Sequence, residues 1–268
     1  MIYLSFGVPR SASSYCYQIT ELLLQEETKH SKRRFLHLDE ISPIPHRYYF
    51  SPEDSKMALD ELIDYLIPRV KDDLIIIKVH CFPTQHIIDL IDRKAIFASA
   101  SFRNPLDVIC SLMDAYKHDP IRCPDGSSLE HSVKSVMWYF LAFKEWTQSK
   151  NVLPVFYKDI KYNPHIIARY ICEQLNIDTS FSYLVERFQD NRDIIEFNIG
   201  VDDRHKTIFS KELLEQLEDN FRVCLNLTSI FDRNFFSQTC ENLQTYTELI
   251  KPHLVSFSKK YNLNERYL

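Results

Sequence analysis

Residues suited to holding phosphate recur along this chain in four short strings. Gly7-Val8-Pro9-Arg10-Ser11-Ala12-Ser13-Ser14 joins an apolar run to an amphipathic one. Lys78-Val79-His80 and Arg103-Asn104-Pro105 each end a later apolar run, the second followed by Asp107 and Ser111, and Tyr157-Lys158-Asp159 ends a fourth. A strand–turn–helix passage aims several backbone N–H groups and a helix N-terminus at one point, which favours an anion there. Arg10 would add a permanent cation, and Ser11, Ser13 and Ser14 hydroxyl donors. Alone, the first string fits a serine-rich turn capping a helix as well as a phosphate loop. It is not the kinase-type GxxxxGK[ST], since Ala12 stands where glycine and Ser13 where lysine would be needed.

Lys78 and His80 lie two apart on a strand, so both project to one face with Cα atoms about 6.6 Å apart. A parallel strand ending in Lys-x-His delivers these side chains to the crevice where α/β folds bind ligands. The imidazole can take a proton from an attacking hydroxyl, and the ammonium can balance charge on a transferred group. Read alone, the pair is more simply what a strand shows as it leaves the core. A nucleophilic Cys81–His80 pair is disfavoured, because adjacent strand residues face opposite ways. Arg103 ends its strand beside a helix N-terminus, and Ser111 lies about two turns along that helix. An arginine fork with a hydroxyl suits a phosphate monoester. Asp107 reads as a favourable charge in the helix's first turn.

The elements that must carry these groups alternate. Strands are expected at 2–6, 35–38, 73–80, 95–102 and 152–157, with Leu74-Ile75-Ile76-Ile77 apolar on both faces like a central parallel strand. Helical spacing joins Tyr15, Ile19, Leu22 and Leu23; Leu59, Leu62, Ile63 and Leu66; and Val133, Val136, Met137, Phe140 and Leu141. Asn104-Pro105 and Asn163-Pro164 each read as an N-cap with proline at the first helical position. The repeated βαβ pattern predicts a mostly parallel sheet with right-handed crossovers. Segments 40–54 and 117–131 read as loops, and 210–224 and 240–259 as helices, the latter divided at Pro252. One domain over 1–268 is expected, with an α/β core over 1–178 and a mainly helical extension over 179–268.

The 268 residues carry a net charge of −5, which argues against a general nucleic-acid or membrane-surface binder. No apolar run approaches the roughly 18–20 residues that span a bilayer. Met1 runs straight into the first strand without a leader, and the seven cysteines include no CxxC pair. A cytoplasmic protein with reduced thiols and no metal is expected. Gly7, Gly126 and Gly200 are the only three glycines, so each should mark a special backbone position.

Together and in this order, the strings resemble the sulfotransferases that use 3′-phosphoadenosine 5′-phosphosulfate. The family's 5′-phosphosulfate loop, P-[KR]-S-G-T-T, is similar to Pro9-Arg10-Ser11-Ala12-Ser13-Ser14, and its K-T-H to Lys78-Val79-His80. Its R-N-P-x-D-x-x-x-S is matched at Arg103, Asn104, Pro105, Asp107 and Ser111, and its Y-E-D resembles Tyr157-Lys158-Asp159. The likeness runs from residue 1 to about 176. It implies a three-layer α/β/α fold related to P-loop kinases, and sulfuryl transfer to a hydroxyl or amine of a small molecule or glycan. It further implies catalytic roles for His80 as base and for Lys78 and Arg10 as charge neutralisers. Arg10, Ser11, Ala12, Ser13 and Ser14 would hold the 5′-phosphate, Arg103 and Ser111 the 3′-phosphate, and Tyr157 would lie near adenine. Such chemistry needs in-line geometry, charge neutralisation and a base, without magnesium.

Three departures stand out. Ala12 replaces the loop glycine, Lys158 replaces an acidic residue, and the R-K-G-x-x-G loop of cytosolic members is missing. Arg204 and Lys206, within Asp203-Arg204-His205-Lys206, are the nearest basic cluster to stand in for it, unless that segment is a solvated loop. Two other readings use the same residues: an ATP-dependent P-loop kinase or nucleotidase, for which Asp39 is the best magnesium ligand, and a non-catalytic nucleotide-binding module. Tyr48, Tyr49 and Phe50 would suit an apolar or sugar face of an acceptor.

Overall fold

The computed structural model describes residues 1–44, 46–47, 49–50, 57–116, 128–187 and 201–222. Gly126, Gly200, Tyr48 and the helix expected at 240–259 lie outside the described residues. Five parallel strands, β1 (Ile2–Gly7), β2 (Tyr49–Phe50), β3 (Ile75–Val79), β4 (Phe97–Phe102) and β5 (Val152–Phe156), form one sheet in the order β2-β3-β1-β4-β5.

Strand alternation sorts the apolar side chains onto two faces. Ile2, Leu4, Phe6, Ile75, Ile77, Val79, Ala98, Ala100 and Phe102 share one buried cluster with α3 (Leu59–Val70), α4 (Gln85–Asp92), α5 (Pro105–Tyr116) and α6 (Ser128–Trp146). Tyr3, Leu74, Ile76 and Val155 pack on the opposite face, against α1 (Ser13–His30) and α8 (Pro164–Leu175). The result is the expected three-layer α/β/α architecture with a parallel central sheet. The short helices α2 (Leu38–Ile41), α7 (Tyr157–Tyr162) and α9 (His205–Ile208) and the longer α10 (Lys211–Asn220) complete the described part, with a 3₁₀ turn over Thr179–Arg187. Among the described residues no helix is long and apolar enough to cross a membrane.

Two expectations are corrected. Residues 35–38 do not form a strand: Phe35 makes one bridge to Leu74, and the chain then enters α2. Glu40 accepts a hydrogen bond from the His37 N–H at 3.3 Å, and Asp39 and Glu40 fill the first turn, so capping ends the extended run. The edge strand is instead Tyr49–Phe50, inside a segment read as a loop, pairing with Lys78 and Val79. Two residues are too few to show alternation; what makes them a strand is the bonding edge that β3 offers.

Candidate active site

The sheet order places β1 between β3 and β4, so the chain leaves β1 at the point where the strand order reverses, the usual ligand crevice of open α/β sheets. All strands being parallel, the four strings lie at the same end of the sheet. Register sharpens this: Gly7 is level with Ser101, Phe6 with Val79, and Phe102 with Phe156. His80 thus continues level with Gly7, and Arg103 level with Tyr157.

The loop after β1 is built by tight contacts. A Cβ on Gly7 would come within 2.3 Å of both Ser101 Oγ and Ser13 Cβ, so only glycine lets β1 end against both β4 and the start of α1. The Val8 N–H donates to the Ser101 carbonyl at 3.0 Å, and Ser11 Oγ lies 3.0 Å from Ser101 Oγ, fully buried. Ser11's hydroxyl therefore moors the loop to β4. Arg10 and Ala12 both take left-handed backbone conformations, with φ of 68° and 64°. Each costs a non-glycine residue about 1–2 kcal/mol, strain that concentrates at functional sites.

Ala12 is the N-cap of α1 and caps nothing with its side chain, whereas Thr84 and Ser210 cap α4 and α10 by accepting from Ile87 and Leu213 N–H. The first turn of α1 thus presents N–H donors with no cap from Ala12, at the positive end of an 18-residue helix. We expect Ala12→Gly to raise stability. Release of the left-handed strain outweighs the roughly 0.4–1 kcal/mol that glycine adds to unfolded-chain entropy. The net gain, on the order of 0.5–1 kcal/mol, should raise Tm by about 2–3 °C. An unchanged or lower Tm in a thermal melt would show that Ala12 is unstrained.

Lys78 is buried and donates from Nζ to Ser14 Oγ at 2.8 Å, which joins β3 to the first turn of α1. β3 ends at Val79, so His80 follows the strand instead of belonging to it. Its Nδ1 lies 2.5 Å from the Gly7 carbonyl oxygen. A carbonyl only accepts, so Nδ1 carries the proton and the neutral ring's basic atom is Nε2. Tyr49 and Tyr139 flank the ring, with centroids 5.6 and 6.2 Å away. Burial pushes the Cys81 thiol up to about 12, so it stays protonated near neutral pH.

Arg103 is only 9% exposed, with its Cζ 3.9 Å from the centre of the Tyr157 ring. Tyr157 therefore forms the bed on which the guanidinium rests, and burial raises its phenol above the ordinary range. Arg103 Nη2 donates to the Val201 carbonyl at 2.7 Å, while its Nε is buried with no hydrogen-bond partner among the described residues. A buried charged donor left unmatched is costly and uncommon. Arg10 Nε donates to Ser111 Oγ at 3.0 Å, so the loop after β1 and the helix after β4 already touch.

Asp107 does more than favour the start of a helix. It is buried and accepts from the Asp203 N–H and from both the N–H and Nδ1 of His205. Burial alone would raise its carboxyl, but the His205 hydrogen bond and the Arg103 charge hold it below the usual carboxylate range. Segment 201–206 is accordingly strapped over the start of α5. Arg204 Nη1 pairs with Asp114 at 2.5 Å, Lys161 with Asp202 at 2.9 Å, and exposed Lys206 with Asp203 at 3.3 Å. This is not a solvated loop, and its buried member is His205, whose partner lies 98 residues away and leaves no local signal.

No family model and no curated protein matches the sequence. Among solved structures, the chain is similar to retinol dehydratase in complex with androsterone and the inactive cofactor PAP: 15% identity over 81% of this chain and 78% of that one, TM-score 0.52. It is also similar to retinol dehydratase in a complex with retinol and PAP, at 14% identity over 81% and 79%, with a TM-score of 0.53. A mouse sulfotransferase complexed with PAP gives 16% identity over 92% and 88%, with a TM-score of 0.54. The chain has the fold of these sulfotransferase structures.

Proposed function

We propose that this chain is a sulfotransferase that uses 3′-phosphoadenosine 5′-phosphosulfate and acts on a hydroxyl, or an amine, of a small molecule or glycan. One observation carries the reading: the phosphate loop, the Lys78–His80 pair and Arg103 end three adjacent parallel strands, with Arg10 bonded across to Ser111. Two features fit a doubly phosphorylated nucleotide. The first turn of α1, whose N-cap Ala12 offers no capping side chain, supplies donors for one phosphate, and the Arg103 Nε, without a hydrogen-bond partner among the described residues, supplies one for the other.

The donor, when bound, supplies the sulfuryl group and a phosphate leaving group. Arg10, Ser13, Ser14 and the N–H groups beside Ala12 hold the 5′-phosphate, with Ser11 securing the loop. Arg103 and Ser111 hold the 3′-phosphate, beside the strap that carries Arg204 and Lys206. Tyr157 keeps Arg103 flat at the nucleotide's edge. Lys78 offsets charge on the sulfuryl oxygens, and His80 Nε2 takes the acceptor proton. Tyr49 and Tyr139 give the acceptor an apolar rest next to that nitrogen.

Calorimetric titration with adenosine 3′,5′-bisphosphate, AMP and ATP tests the donor. The bisphosphate should bind at least about tenfold more tightly than either, since one charge-assisted hydrogen bond supplies roughly 1.5–3 kcal/mol. Equal affinity for AMP would reject the reading.

A further inference from the structure

We propose that His205 is a positioning residue for Arg103: by holding Asp107, it keeps the guanidinium available to a phosphate monoester instead of closed in a bidentate, hydrogen-bonded pair. The proposal rests on the donor reading above. Arg103 and Asp107 are four residues apart at the start of α5, both nearly buried, and by position free to meet as a bidentate fork. They do not. Asp107 Oδ2 lies 3.6 Å from Arg103 Nη2 and accepts from the Asp203 N–H at 3.1 Å. Oδ1 is taken by His205 Nδ1 at 2.8 Å and its N–H at 3.4 Å.

With both oxygens committed to the strap, the carboxylate stands off from Arg103. Nη2 is then held by the Val201 carbonyl at 2.7 Å, and Nε is left buried without a partner among the described residues. The carboxylate still offsets the buried guanidinium charge without saturating its donors. Were Oδ1 released, the carboxylate could turn its second oxygen to Arg103, and an incoming phosphate would have to displace that pair. His205 thus tunes the site's preference for a nucleotide bearing a second phosphate, while touching none of the reacting atoms.

Calorimetry on the whole chain tests this with two probes, adenosine 3′,5′-bisphosphate and AMP. His205→Ala should lose about tenfold in bisphosphate affinity and keep its AMP affinity, so the ratio between the two falls. His205→Asn, whose amide can donate to Oδ1, should keep the wild-type ratio. Adding Asp107→Asn to His205→Ala should recover bisphosphate binding, because the competing carboxylate is gone; a general packing defect would instead worsen. If His205→Ala yields no folded protein, His205→Phe fills the ring's space without the donor and carries the same expectation. An unchanged ratio, an equal loss for both probes, or no recovery in the double variant overturns the proposal. A wild-type chain that does not prefer the bisphosphate removes the donor reading first and this proposal with it; a wild-type preference that survives every His205 variant removes the proposal alone.

Discussion

Arg103→Ala is expected to weaken adenosine 3′,5′-bisphosphate binding by about a hundredfold and to leave AMP binding within about twofold. The size follows from what the side chain has to give. An arginine buried on the Tyr157 ring, with Nε unmatched, offers charge-assisted hydrogen bonds where water competes little. Two such bonds at roughly 1.5 kcal/mol each approach 3 kcal/mol, and about 2.7 kcal/mol is a hundredfold in affinity. The selectivity follows from placement, because Arg103 ends β4 whereas the uncapped helix turn follows β1. Removing the guanidinium also strands Asp107, a buried carboxylate, so the alanine variant should melt lower. Arg103→Lys separates the effects: it keeps a cation beside Asp107 but cannot form the planar fork, and should retain stability while losing about tenfold in bisphosphate affinity. Equal losses for bisphosphate and AMP in both variants would detach Arg103 from any second phosphate.

How far the sequence could be read depended on whether an interaction is local. The parallel sheet was legible because a helix between successive strands forces it, and the ends of β1, β3 and β4 were legible because a glycine-proline turn at Gly7 and polar residues at His80 and Arg103 interrupt the apolar runs. Ser111 was legible because helical spacing fixes its distance from Arg103. Non-local features were not. β2 exists through its pairing with Lys78 and Val79, and its two residues carry no periodic signal. Phe35, Leu36 and Leu38 look like a strand until the Glu40 carboxylate caps the chain into a helix. Asp107 at a helix start has an adequate local explanation, which hid its bonds to a segment almost a hundred residues away. Nothing near Ser11 in sequence reveals Ser101 across the sheet, to which its hydroxyl is hydrogen-bonded. Arg204 draws notice in sequence for its charge, yet its guanidinium is paired with Asp114. Its uncharged-looking neighbour His205 is the residue that reaches into the site.

His80→Ala should lower sulfuryl transfer by about a thousandfold, within the roughly 10²–10⁴ that a positioned general base contributes, while the bisphosphate Kd stays within about twofold. The split is expected because the His80 ring bonds to the Gly7 carbonyl and packs near Tyr49 and Tyr139, while the proposed phosphate contacts fall to Arg10, Ser13, Ser14 and Arg103. The Gly7 carbonyl makes the direction of proton transfer definite. With Nδ1–H donated to that oxygen, only Nε2 can accept a proton, and the resulting imidazolium keeps its Nδ1 bond and is steadied by the carbonyl dipole. The same carbonyl belongs to the residue whose missing Cβ lets β1 meet α1, so the His80 ring and the loop after β1 are fixed to one point of the backbone. Transfer from radiolabelled donor to a panel of phenols and aliphatic alcohols measures the effect on whichever acceptor the wild type uses. Added imidazole should restore part of the rate to His80→Ala and none to a Lys78→Ala variant, where the missing group is a charge. Turnover retained in His80→Ala would take the base role from His80. A wild type that binds the bisphosphate tightly yet sulfates no acceptor would make the same geometry a nucleotide-binding module, in which the proton-accepting nitrogen has no substrate to act on.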